Sequence, residues 1–579
     1  MTFNQFEITV ERNIPVRMRD RTVLYADIYQ PVNSGPFPVI LQRLPYEKES
    51  AHAIHFAHPS WYARQGFVVV VQDTRGRWSS EGEWYPFFNE PNDGFDTVAW
   101  ASRLPNTTGQ VAMYGASYGG ATQLLAAITS PPALHVICPA FTSSDFYEGW
   151  TYEGGALHLA FVVAWALNLA PDTARRKGSE EMLRKIAEAY TGTSIYSQQA
   201  FLPLKNQPLL QESNILQYYF DWLDHPTFDQ YWKQIAIASR HSQITAAGLH
   251  IGGWHDIFLN GTLANYCGIR DCSSDWSRPK QRLLIGPWMH LPLSPFVGEI
   301  DFGLNAASRI IDESQIRFYN WLLKDIDDGI SSESPVKLFV MGENQWREEA
   351  DWPLQRAVNT PYYFHSDGFA NSLTGNGTLS PQHPGEEPPD TYVYDPRSPS
   401  ASRGGHSCCR EVLAPMGSYD QRPIERYKDI LCYTSERLAS PLEVTGPIRI
   451  VLWAATTAVD TDWVAKLIDV YPDGQAMNLT EGIIRASYRE SLERPTLLER
   501  ERIYEYSINL RATSNVFLPG HRIRVDISSA SFPHWDRNPN TGAPFGTATL
   551  SQLQTATQTI FHDAGRPSYI VLPIVPRDE

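Results

Sequence analysis

Four short aliphatic runs constrain this chain more than any other feature: PFPVILQRL (36–44), GFVVVVQDT (66–74), QVAMYG (110–115) and LHVICPAF (134–141). Each is continuous rather than alternating and rich in Val and Ile. That is the signature of strands buried on both faces of a parallel sheet. Amphipathic segments lie between them: DGFDTVAWASRL (93–104), and GGATQLLAAITS (119–130), which stops at Pro131-Pro132. Strand alternating with helix predicts an α/β domain with right-handed crossovers.

The rhythm breaks near residue 145. From 145 to 241 the chain is aromatic and helix-like, as in ILQYYFDWL and FDQYWKQIA, with no clear strand. It resumes with AAGLHIGGW (246–254), RLLIGPW (282–288) and PVKLFVMGE (335–343), with a long helix candidate at 307–324. An insertion of this kind usually lies over the working face of the sheet as a cap. After about 353, short alternating segments separated by Gly/Pro/Asn turns predict a β-sandwich of the jelly-roll kind. The expected division is 1–144 and 242–352 for the α/β core, 145–241 for the cap and 353–579 for the sandwich. A chain of 579 residues is too long for one core, which agrees with several domains.

One motif sits where such a sheet does its chemistry. VAMYGASYGG (111–120) places Ser117 in G-x-S-x-G, after a buried-type strand and before a helix. This is the setting of a nucleophile elbow, in which a strained turn exposes a serine beside a helix N-terminus. A serine needs a base, and the base an orienting carboxylate. Strand LHIGGW runs into His255-Asp256, and LLIGPW into Met289-His290. Asp256 is the expected acid and His290 the expected base, in the chain order Ser, Asp, His that this fold uses. His255 is the weaker candidate base, because it precedes the acid.

Other residues carry less. His52, His55 and His58 are spaced as on one helix face, but no Cys, Asp or Glu completes a metal set, so no metal is expected. The adjacent Cys408 and Cys409 are expected as reduced thiols. A formal charge of −16 without a Lys/Arg run argues against nucleic acid or an anionic membrane surface. The N-terminal stretch does not read as a Sec signal, and the apolar runs are shorter than a membrane span. The expectation is a cytoplasmic protein acting on a small molecule, with homo-oligomerisation left open.

With GASYGG, GGWHD and GPWMH in place, the chain resembles the CocE/NonD hydrolases. LPYEK (44–48), VVVQDTRG (69–76), SSEGEW (79–84), DTDWVAKLIDVYPDG (460–474) and TSNVFLPGHRIRVDISSASFPHWDRNPNTG (513–542) extend the likeness over nearly the whole chain. The resemblance implies an α/β-hydrolase core, a helical cap and a jelly-roll domain. It implies a Ser117–His290–Asp256 triad that cleaves an ester or amide through an acyl-enzyme, without cofactor. It also implies an oxyanion hole made by the Tyr118 amide and the Tyr46 phenol, and an acyl pocket that includes Trp150, Trp165, Phe258 and a loop carrying Cys408 and Cys409. Members that take amino esters hold the ammonium with acids partly next to the triad acid. Here Asp256 is followed by Ile257-Phe258-Leu259-Asn260, so such a substrate is not expected. Competing readings are an acyltransferase or X-Pro-type peptidase on the same triad, and a catalytically inert carbohydrate-binding protein.

Overall fold

The computed structural model describes residues 6–32, 35–50, 56–191, 202–206, 215–410, 412 and 414–577. Of the three spaced histidines, His52 and His55 lie outside these residues; His58 caps the short helix Pro59–Arg64.

Ten strands form one sheet: β1 (Ile8–Arg17), β2 (Val23–Pro31), β3 (Phe37–Leu44), β4 (Val68–Asp73), β5 (Thr107–Ala116), β6 (Leu134–Ala140), β7 (Ala247–His255), β8 (Gln281–Met289), β9 (Val336–Val340) and β10 (Gln345–Glu349). Their order is β1-β2-β4-β3-β5-β6-β7-β8-β9-β10. The middle of the sheet, from β4 to β9, is parallel. Its continuous apolar runs are fully buried in β4, β7 and β8, because helices cover both faces. The antiparallel outer strands β1, β2 and β10 do not stand out in the sequence analysis. β1 is largely exposed and mixes charged with apolar residues, so it carries no buried-strand signature.

Helices Glu90–Ala101 and Tyr118–Ala127 pack against each other on one face, and Arg309–Lys324 covers the other. Between β6 and β7 the chain forms helices Leu159–Arg176, Glu180–Thr191, Gln217–Asp224 and Gln230–Lys233. A two-residue hairpin, Tyr152–Glu153 with Ala156–Leu157, interrupts the helical reading. Most of the described aromatic residues of this insertion are buried in one apolar cluster that also holds Tyr118, with Phe220, Phe228 and Tyr231 partly buried against it.

The C-terminal half is an eleven-stranded, almost wholly antiparallel β structure with its own core. It is tied to the rest by backbone pairs. Met341, directly after β9, donates to the Ser514 carbonyl and accepts from Val516 N–H, while Ala160 donates to the Pro533 carbonyl and Asp536 to that of Leu157. The chain is therefore an α/β-hydrolase core with an inserted helical segment and a C-terminal all-β domain. Among the described residues, no helix is long and apolar enough to cross a membrane, and no group of acidic, His or Cys side chains could hold a metal ion.

Candidate active site

Ser117 follows β5 directly and has φ 58° and ψ −122°. A non-glycine residue in that region is strained by roughly 1–3 kcal/mol and persists only where its surroundings over-determine it. They do so here: Ser117 N–H donates to the Ala140 carbonyl at 2.9 Å, and Gly120 and Ala121 donate back to the Ser117 carbonyl. Gly115 has φ 143°, and a Cβ there would stand 2.8 Å from the Gly119 oxygen. Gly119, the second glycine of G-x-S-x-G, has room for a side chain at ordinary contact. The close approach falls instead on Gly120, whose Cβ would meet Thr142 at 2.8 Å.

β7 and β8 bring the other two residues together. They pair in parallel, and after a register break His255 stands opposite Met289. The next residue of each strand is Asp256 and His290, so the pairing sets the two side by side at the C-terminal edge of the sheet. Gly253 permits this: a Cβ there would lie 2.1 Å from the Trp288 carbonyl. His290 Nδ1 is 2.7 Å from Asp256 Oδ1, and His290 Nε2 is 3.1 Å from Ser117 Oγ. Both side chains are almost wholly buried. A carboxylate facing Nδ1 puts the proton there and leaves Nε2 with a lone pair toward the serine hydroxyl. His255 takes no part. Its ring neighbours are Phe302 and His406, its nitrogens have no hydrogen-bond partner among the described residues, and burial pushes its pKa down to about 3.

Tyr46 follows β3, in the loop that faces Ser117. Its phenol oxygen accepts a hydrogen bond from Trp165 Nε1 at 2.9 Å and lies in hydrogen-bond reach of Ser117. Because the indole occupies a lone pair, the phenol's own proton is left to point toward the serine. Burial raises the Tyr46 pKa, outweighing the hydrogen bonds of Trp165 and Ser117, so the group stays a neutral donor. Two residues that the sequence reading passed over brace this loop. Arg77 Nε and Trp78 Nε1 both donate to the Pro45 carbonyl, and Arg77 Nη1 reaches the Leu169 carbonyl in the inserted helix. They directly follow VVVQDTRG, and that adjacency was the available signal. Tyr118 begins the helix after Ser117, so its backbone N–H has no partner within that helix. Its side chain is fixed away from the serine: the hydroxyl accepts from Phe87 N–H and donates to Glu90.

The aromatic residues expected at the acyl side gather around this point. Phe258 meets the His290 ring edge-on at 5.1 Å and stacks on Trp150 at 4.4 Å. Trp165 stands at 5.7 Å from Trp150, edge to face. Cys408 is fully buried in the same apolar cluster, with Cys409 against its edge. The two cysteines are joined by a disulfide rather than present as the reduced thiols expected. A turn at Cys409, with φ 74°, brings the neighbouring sulfurs together. Cys138 and Cys267 are free.

Comparison with known proteins gives concordant findings. The family model for X-Pro dipeptidyl-peptidase (S15 family) matches residues 20–292, and that for the X-Pro dipeptidyl-peptidase C-terminal non-catalytic domain matches 328–571. Cocaine esterase from Rhodococcus sp. (strain MB1 Bresler) is 38% identical, covering 98% of this chain and 99% of that protein. An aminopeptidase from a marine sediment Thaumarchaeota archaeon superimposes with a TM-score of 0.83 at 26% identity, over 100% of this chain and 98% of that one. An α-amino acid ester hydrolase, at 24% identity and TM-score 0.81, shares the fold over 99% of this chain and 98% of its own.

Proposed function

This chain belongs to the CocE/NonD serine hydrolases, with the S15 catalytic and C-terminal domains, and on that premise we propose that Ser117 is the nucleophile, His290 the general base and then acid, and Asp256 the group that fixes the imidazole tautomer. The observation that carries the reading is His290, with one ring nitrogen on Ser117 Oγ and the other on Asp256.

His290 Nε2 takes the Ser117 proton as Oγ attacks the substrate carbonyl. The oxyanion that forms is held by the Tyr46 hydroxyl and the Tyr118 amide, both neutral donors that cost no charge burial. His290 returns the proton to the leaving group, and the acyl group stays on Ser117. Water, activated by the same imidazole, then releases the acid.

For the substrate we propose an ester whose acyl group is aromatic or bulky and apolar, seated among Trp150, Trp165, Phe258 and the Cys408–Cys409 loop, beneath the cap carried by residues 145–241. Cocaine esterase, by its name, hydrolyses an ester, cocaine. A panel of benzoyl esters, amino esters, aliphatic amides and X-Pro peptides tests the proposal. Highest kcat/KM on benzoyl esters is expected, and preference for the X-Pro peptides would replace it with a peptidase.

A further inference from the structure

The loop that carries Asp256 is gripped from the all-β half of the chain. His406 is fully buried there. Its Nε2 lies 2.7 Å from the Trp254 carbonyl oxygen, two residues before Asp256. A carbonyl only accepts, so Nε2 donates. On the other side of the ring, Nδ1 stands 3.2 Å from Glu481 Oε1, and the same oxygen accepts the His406 backbone N–H at 2.6 Å. Gly405 makes room for this carboxylate: at φ 112°, a Cβ would come within 2.6 Å of it.

The arrangement reaches all three parts of the molecule. Arg511 donates to the Glu481 carbonyl at 2.5 Å and, with its other terminal nitrogen, to Glu153 in the hairpin before the inserted helices. Burial works against the Glu481 charge, but His406 and Arg511 hold its pKa well below the usual carboxylate range. Buried charges are poor contributors to stability, since apolar side chains of the same volume serve a core as well or better. Their value lies in fixing geometry. The other groups around the Trp254 peptide are already fixed. The indole donates to the Phe339 carbonyl, Asp256 N–H closes a turn on the Gly253 carbonyl, and His255 pairs with Met289. The Asp256 carbonyl accepts from Leu259 N–H, and the Trp254 carbonyl is a further handle on the turn that aims Asp256.

We propose that His406, backed by Glu481, is a positioning residue for the hydrolytic reaction. Its Nε2–H orients the Trp254–His255 peptide and thereby holds the Asp256 carboxylate in line with His290. The proposal rests on Asp256 being the triad acid. It makes the all-β domain a contributor to the chemistry through a residue that touches neither substrate nor nucleophile.

The test uses the full chain and a benzoyl ester, with kcat normalised to active sites titrated by a phosphonate. His406→Asn keeps a polar group near Nδ1 but cannot reach the Trp254 carbonyl, whereas His406→Gln places an amide N–H close to the position of Nε2. His406→Asn is expected to lower kcat about 10–100-fold, as loss of an outer partner of a reacting group does, with KM within about twofold. His406→Gln is expected to recover kcat to within about fivefold of the parent. Parent-like kcat per titrated site in His406→Asn would overturn the proposal, and so would equal losses in Asn and Gln. Asp256→Asn separates the two levels. If it is crippled while His406→Asn is not, the positioning role alone fails; if it is fully active, the triad reading fails and this proposal with it. Should His406→Asn not fold, Glu481→Gln takes its place, read by kcat and by the low-field proton resonance of His290 Nδ1–H. A shifted or broadened resonance with reduced kcat supports the proposal; an unchanged resonance and kcat overturn it.

Discussion

Two buried histidine–carboxylate pairs are linked across a domain boundary by the contact of His406 with Trp254, two residues before Asp256. In the α/β core, His290 lies 2.7 Å from Asp256; in the β domain, His406 lies 3.2 Å from Glu481. Side by side they differ mainly in what the far nitrogen meets. For His290 it is the Ser117 hydroxyl, which has a proton to give; for His406 it is a backbone carbonyl, which has none. The carboxylate orients an imidazole in both places, and the third partner decides the outcome. One assembly can shuttle a proton, while the other can only hold a peptide in place. His255, 5.9 Å from His406, makes a third term: a buried imidazole with no hydrogen-bond partner among the described residues, which burial keeps neutral.

The comparison breaks first at its reactive member. Ser117→Ala and His290→Ala should each lower kcat by about 10⁴-fold or more, leaving what the oxyanion hole and binding supply. An active-site serine reagent should label the parent once, on the GASYGG peptide, and leave Ser117→Ala unlabelled by intact mass. Full turnover by either variant would make the two pairs equivalent.

Next come the carboxylates. Asp256→Asn should cost about 10⁴ in kcat, because the amide stabilises the wrong tautomer of His290. Glu481→Gln should cost far less, because no proton moves through His406. Equal losses at the two positions would erase the distinction drawn here.

Tyr46 tests whether neutral donors suffice around the reactive pair. Tyr46→Phe removes the hydroxyl and keeps the ring, and should reduce kcat by about 10²–10³-fold with a much smaller change in KM. Thermal denaturation should show the variant folded. A folded variant with parent-like kcat would make Tyr46 a packing residue.

The smallest effect belongs to His255. Its folded pKa of about 3 lies below the usual 6.5. The unfolded chain therefore takes up a proton between pH 6.5 and 3 that the fold refuses. The stability tied to a neutral His255 is complete above pH 6.5 and is lost progressively as pH falls toward 3. His534 and His250, pushed by burial to about 3 and about 4, add to the same slope. His255→Gln should leave ester hydrolysis within about threefold of the parent. It should also flatten the fall in denaturation midpoint between pH 7 and pH 5. An unchanged pH slope would place a protonated His255 inside the fold, and loss of hydrolysis would make it the base in place of His290.

Much of this was legible along the chain. The seven core strands named from aliphatic runs appear with ends shifted by a few residues, since a strand buried on both faces needs an unbroken apolar run. The hairpin of β1 and β2 was not legible, because an outer strand facing water can be written in charged residues. Ser117, Asp256 and His290 could be nominated because each lies just beyond the C-terminal end of a strand. Tyr46 and the acyl-side aromatics came from resemblance alone, because an aromatic residue after a strand looks the same whether it packs or donates. The Cys408–Cys409 disulfide ran against expectation, since adjacency in sequence does not reveal the turn that joins the sulfurs.

By itself, then, the amino-acid sequence determined what depends on neighbours in the chain: periodicity, the strand–turn–helix setting of Ser117, and the order of Ser117, Asp256 and His290 at successive strand ends. Tertiary structure decided the contact of His290 with the Ser117 hydroxyl. It did so through the register that puts His255 against Met289, the reach of Trp165 to Tyr46, and the contact of His406 with Trp254 across 152 positions. Local patterns follow from short-range sterics and burial. A proton path needs groups within about 3 Å of one another, and only the packing of distant segments sets that distance.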